Sequence, residues 1–164
     1  MPVKTIQMLF DLAINWETQA RDLYANYANL FKHEPKISAF WIQLSKDESL
    51  HIDVLKDILN KISTEKRLME VGNEPWNSIT RVEGLIKEAS TRKVLTLDDA
   101  YELAHQLEMS EVNTLFKMLS NDYLIYEEAR NFILSDVDEH IERLMRFGEE
   151  YTQSQRRRIK VHSI

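Results

Sequence analysis

The chain has no cysteine. That one count excludes disulfides, zinc–thiolate sites, iron–sulfur clusters and cysteine nucleophiles, although it does not fix the redox compartment. Glycine and proline are almost as scarce, three of each in 164 residues. Such scarcity argues against a turn-rich β fold and for long helices. No apolar run approaches the roughly 18–20 residues of a membrane span. The first stretch, "MPVKTIQMLFDLAINWETQ", lacks a small-residue cleavage site and runs straight into a patterned helix. A cytoplasmic protein with no membrane partner is therefore expected. Excess positive charge is lacking too: the net charge is −6, which disfavours nucleic acid as a partner. The only basic cluster, "RRRIK" at 156–160, reads as a solvated, frayed C-terminus.

What is present is helical patterning. A hydrophobic content of 43% and a charged content of 29% suit a soluble domain, and a single domain of this length buries roughly 70% of its unfolded surface. A first helix is expected over about 5–31, with Ile6, Phe10, Ala13, Glu17, Ala20, Tyr24, Tyr27 and Phe31 on one stripe. Pro35 in "KHEPK" ends it. A second follows over about 36–62, antiparallel to the first because the turn is short. The third, about 97–119, starts at Thr96 as N-cap with Asp98 and Asp99 at the positive end of the dipole. Its stripe is Leu97, Tyr101, Ala104, Glu108, Glu111, Leu115 and Met118. The fourth, about 123–151, turns Tyr126, Ala129, Ile133, Val137, His140, Leu144, Phe147 and Tyr151 inward. Spacings of three and four throughout describe an all-α four-helix bundle packed at about 20°. A long crossover over 63–96, with a short helical piece near Arg81–Ala89, joins its two hairpins. The tail 152–164 is polar and basic, with no clear fifth helix.

Each stripe is interrupted near its middle by a residue that does not belong in a core. On the second helix, Trp41, Leu44, Leu55, Ile58 and Ile62 share a face that Glu48 and His51 complete. Glu17, Glu108, Glu111 and His140 interrupt the other three. In antiparallel helices of similar length the midpoints meet at one height, so these six side chains converge in one layer. An unpaired buried ion costs several kcal/mol. Two partners offset that cost: a Glu–His hydrogen-bond network with bound water, or a metal. Four carboxylates and two imidazoles suit iron or manganese, with zinc able to enter. The Glu48-x-x-His51 spacing puts both donors on one helical face. The interval from Glu17 to His51 also nearly equals that from Glu108 to His140, which fits two related helix hairpins.

Together "ETQARDLY" around Glu17, "ESLH" at 48–51, the Glu108/Glu111 pair and His140 resemble the ferritin-like superfamily, and rubrerythrins most closely. The resemblance runs from about Ile6 to Phe147. It implies a ferritin-like bundle holding a di-iron carboxylate centre, with Glu17 a terminal ligand, Glu48 a bridge and His51 a nitrogen ligand. On the other half Glu108 corresponds to Glu17, His140 to His51, and Glu111 to an additional glutamate. Tyr24 and Tyr27 either hydrogen-bond near the site or are simply core. A homodimer is also implied by the resemblance; separately, Trp16 and Trp41 lie near the stripes and are expected to pack at a subunit contact.

The chain departs from that pattern at Val137, where a second Glu-x-x-His would carry its glutamate. Three outcomes are open: Glu111 takes over, Asp136 reaches in from one turn before His140, or the second site is weak and the protein holds one metal or none. Lack of cysteine also removes the rubredoxin-like domain common in rubrerythrins, so reductive turnover would need a separate electron donor. Three functions follow as alternatives. The first is an oxidoreductase that reduces peroxide or oxidises Fe(II) with dioxygen. The others are a non-catalytic iron-binding or storage protein and a metal-free relic bundle acting as an interaction module.

Overall fold

A computed structural model describes residues 4–73, 76, 79–124 and 126–162, with side chains for all of these except Thr80, Glu111 and Val112. Among the described residues there are eight helices and no strand, only two isolated β-bridges. The architecture is an all-α ferritin-like bundle. No described helix is long and apolar enough to cross a membrane.

Helices α1 (Ile6–Leu30) and α2 (Pro35–Lys61) form the most extensively packed pair. Thr5 caps α1 by accepting a hydrogen bond from the Met8 amide, and Pro35 opens α2 where its missing N–H costs nothing. Their shared face is apolar and aromatic: Phe10, Tyr24, Tyr27, Phe31, Trp41 and Leu44 are fully buried. Trp16 and Trp41, expected near a subunit contact, are instead buried inside this chain. Trp41 lies between Tyr24 and Tyr27, and each of them packs against its ring.

The crossover holds two helices, α3 (Thr64–Arg67) and α4 (Ile79–Thr91). Just after α3, the Met69 carbonyl accepts from the Ile6 amide at 3.1 Å and the Val71 amide donates to Lys4 at 2.8 Å, pinning the crossover to the start of α1. Val82, Ile86 and Ala89 then press α4 onto the bundle.

The expected third helix is two helices, α5 (Leu97–Glu108) and α6 (Glu111–Tyr123). Thr96 caps α5 in a reciprocal box with Asp99. The break at Met109–Ser110 has no glycine or proline behind it. Ser110 donates its hydroxyl to the Leu107 carbonyl at 2.5 Å, and the Asn113 amide takes the Glu108 carbonyl at 2.9 Å. These side chains replace backbone bonds that a continuous helix would make. Beyond the break the buried face shifts to Leu115, Phe116 and Leu119, leaving Met118 only half-buried.

Helix α7 (Glu127–Glu150) buries Ile133, Val137, His140, Leu144 and Phe147. Its expected first inward residues do not pack: Tyr126 is 68% exposed and Ala129 is exposed. The tail also departs from expectation, because it folds into α8 (Gln153–Arg158), whose Arg156 is buried. The Arg156 guanidinium lies 4.0 Å above the Tyr101 ring. It donates to Asp98 at 2.9 Å and to the carbonyls of Gly148 and Tyr151 at 3.0 and 2.7 Å. Four partners thus offset the cost of burying this charge. Gly148 is required by the same contact, since a Cβ there would stand 2.1 Å from the Tyr101 hydroxyl. Past α8 the chain pairs back along the start of α5, with the Leu97 amide donating to Ile159 at 2.9 Å.

Candidate metal centre

Five side chains from four helices meet at mid-height of the bundle: Glu17 from α1, Glu48 and His51 from α2, Glu108 from the last position of α5, and His140 from α7. All five are buried. His51 Nδ1 lies 3.1 Å from Glu48 Oε2 and 3.4 Å from Glu17 Oε2. His140 Nε2 lies 3.1 Å from Glu48 Oε1 and 3.1 Å from Glu108 Oε2. The two oxygens of Glu48 therefore face different imidazoles. One donor atom from each of Glu17, Glu48 and His51 falls within 4.8 Å of the others, and the same holds for Glu48, Glu108 and His140. Glu48 belongs to both groups.

Hydrogen bonding fixes one half of this layer more tightly than the other. Tyr24, buried on α1, donates its hydroxyl to Glu108 Oε1. Asn113 donates to Glu108 Oε2 at 2.8 Å. Asp47, next to Glu48 in sequence, faces α7, where its Oδ2 lies 3.1 Å from His140 Nδ1. Arg143 donates to the same oxygen, and Gln43 holds the other at 2.8 Å. This partner fixes His140 in the tautomer that carries its proton on Nδ1, leaving the Nε2 lone pair for the layer. By contrast, Glu17 Oε1 and His51 Nε2 are buried without a hydrogen-bond partner. So is His140 Nε2, because neither carboxylate oxygen at 3.1 Å lies in hydrogen-bonding alignment.

Three buried polar atoms without a protein partner are costly, since each forfeits its hydration. A cation coordinated by these carboxylate oxygens and imidazole nitrogens removes that cost, and the donor set suits iron, manganese or zinc. Without a cation, protons take its place. Burial and the neighbouring Glu48 charge hold the Glu17 carboxyl well above the usual range. Burial would raise Glu48 as well, but Glu17 and the two imidazoles outweigh it and hold Glu48 well below 4.5. Burial would lower His51, yet Glu17 and Glu48 push its imidazole up to about 10. His140 is likewise raised against burial by Glu108, Glu48 and Asp47. Burial, reinforced by Glu108 and Glu48, keeps the Tyr24 phenol protonated.

Of the residues expected to converge, Glu17, Glu48, His51, Glu108 and His140 do so. Glu111 opens α6 beyond the helix break, and its side chain lies outside the described residues. Val137 is fully buried, an apolar group at the height where a second bridging carboxylate was sought. Asp136 comes near without joining either group: its Oδ2 is 3.8 Å from His51 Nε2, and its side chain is 25% exposed. Asp47 was missed in the sequence. Its only signal is the "DE" pair of "KDESLH", which reads as an exposed helical face until α7 is placed against it.

The family model Rubrerythrin matches residues 9–147, a span that contains the whole layer. Comparison with curated proteins and with solved structures gives no match.

Proposed function

The chain belongs to the rubrerythrin family, and from that premise we propose that its buried layer is a dinuclear iron centre that reduces peroxide or oxidises Fe(II). One observation carries this reading: Glu48 is shared by two metal-sized donor groups, each with its own histidine and its own second glutamate. One ion would be held by Glu17, Glu48 and His51, the other by Glu48, Glu108 and His140. When bound, iron supplies a one-electron couple per ion, and a pair matches the two electrons needed to cleave an O–O bond.

The chain's own residues do the rest. Glu48 sets the two halves side by side through its two oxygens. Asp47 orients His140, and Tyr24 holds one oxygen of Glu108 so that the other stays turned toward the layer. Phe116, whose ring centre lies 4.4 Å from that of His51, and Val137 cover the layer with apolar surface and exclude bulk water. Electrons for repeated reductive turnover would come from outside these residues, which include no cysteine to hold an electron-transfer iron.

The test is re-oxidation of the iron-loaded, reduced protein by hydrogen peroxide, beside a Glu48→Ala variant. The wild-type centre is expected to react at least about 100-fold faster, the scale on which removing a single catalytic contact is felt. Equal rates would mean that the layer binds iron without doing chemistry.

A further inference from the structure

We propose that His33 and His162 form a second, surface metal site for a borderline divalent cation such as Zn²⁺, separate from the buried layer. His33 sits in the turn between α1 and α2, and His162 lies in the tail beyond α8. Their ring centres are 5.4 Å apart, with the planes tilted by 36°. Two imidazoles on one tetrahedral ion, each nitrogen about 2.0–2.1 Å from it, hold their ring centres roughly 5 Å apart. The pair therefore already stands near the separation that a shared ion requires.

Both backbones are fixed before any ion arrives. In the turn, the Lys32 amide donates to Asn29 at 3.3 Å and the Glu34 amide to Phe31 at 2.9 Å. In the tail, the Val161 amide donates to Leu95 at 3.0 Å and the His162 amide to Leu30 at 2.8 Å, at the end of α1. The entropy of bringing the two side chains together is thus largely met by the fold. Both rings are exposed, so an ion has direct access and water completes its shell. Imidazole alone favours zinc, nickel or copper over magnesium or calcium, in contrast with the oxygen-rich layer inside.

An ion bound here joins the chain's last residues to its first helical hairpin. Because it binds only the docked tail, it suppresses tail opening by the factor 1 + [ion]/Kd, about 100-fold at an ion concentration of 100 Kd.

The experiment is a Zn²⁺ titration of the full chain followed by backbone-amide NMR, which separates this site from the buried one. A distinct binding event is expected at His33, Val161 and His162. It should vanish in both His33→Gln and His162→Gln, while the event around His51 and His140 persists and shows that each variant is folded. Trypsin cleavage after Lys160 should slow by up to about 100-fold with saturating Zn²⁺ in the wild type, and not in either variant. Absence of the surface event, or its survival in either single variant, would overturn the proposal.

Discussion

The two helical hairpins contribute to the same layer on unequal terms. α1 and α2 are long, unbroken and joined by one tight turn, and between them they supply a complete donor group: Glu17, Glu48 and His51. The second hairpin is broken after Glu108, and its last helix begins with exposed residues. Among the described side chains it supplies Glu108 and His140, and the buried Val137 stands where a second bridging carboxylate was expected. Among the described residues its donor group includes Glu48, and His140 takes Asp47 as its Nδ1 partner. Both borrowed residues are on α2. The three orphaned atoms are divided unevenly: Glu17 Oε1 and His51 Nε2 belong to the self-sufficient half, and His140 Nε2 to the borrowed half, whose other polar atoms are held by Tyr24, Asn113 and Asp47. The two donor groups are unequal, and one helix, α2, contributes to both.

Restoring the missing carboxylate should disturb this comparison most. In metal-free protein, Val137→Glu buries an unpaired carboxyl and is expected to cost about 3–5 kcal/mol of stability, measured by urea unfolding. With iron bound, the same side chain gains a partner, so most of that loss should be recovered. A variant equally destabilised with and without iron would show that position 137 does not face the metal.

The next largest effect separates the halves. Asp47→Ala should weaken the ion at His140 by about 10–100-fold, as loss of a histidine's outer partner generally does. The ion at Glu17 and His51 should change little. A uniform loss at both would mean that Asp47 acts on the bundle as a whole.

An effect common to both halves is the pH dependence of loading. His51 in metal-free protein is protonated up to about pH 10, and an ion can bind only its neutral form. Each ion bound there displaces a proton, so apparent affinity should rise about tenfold per pH unit below that value. The sign for stability is opposite. Because the folded-state pKa is raised above the ordinary 6.5, the stabilisation is complete below about 6.5. It is then lost as pH rises through about 10. Competition of protons with Fe(II), followed by calorimetry across pH 6–9, checks both directions; an affinity independent of pH would contradict the protonated layer.

Much of this layer was legible in the sequence for one physical reason. Glu17, Glu48, His51, Glu108 and His140 each interrupt an apolar stripe, and a charge on a buried face stands out against its neighbours. Asp47 sits one position off the stripe, where an acidic residue looks solvated, and only the approach of α7 gives it a partner. The break between α5 and α6 carries none of the usual punctuation, since Ser110 and Asn113 make it with side-chain hydrogen bonds. Arg156 misled in the same way: a run of three arginines reads as solvent-facing until Asp98, Tyr101 and two carbonyls are brought around one of them. Tyr126 erred in the other direction, because the stripe of α7 continues past the point where there is a core to meet it.

The most direct test of the account is iron stoichiometry: anaerobic titration of metal-free protein with Fe(II), followed by elemental analysis of the iron retained per chain. Two ions per chain, falling to none or one in Glu48→Ala, is the result expected of two halves that share a bridge. One ion per chain in the wild type, with Glu108→Ala without effect, would show that the second hairpin contributes no metal site.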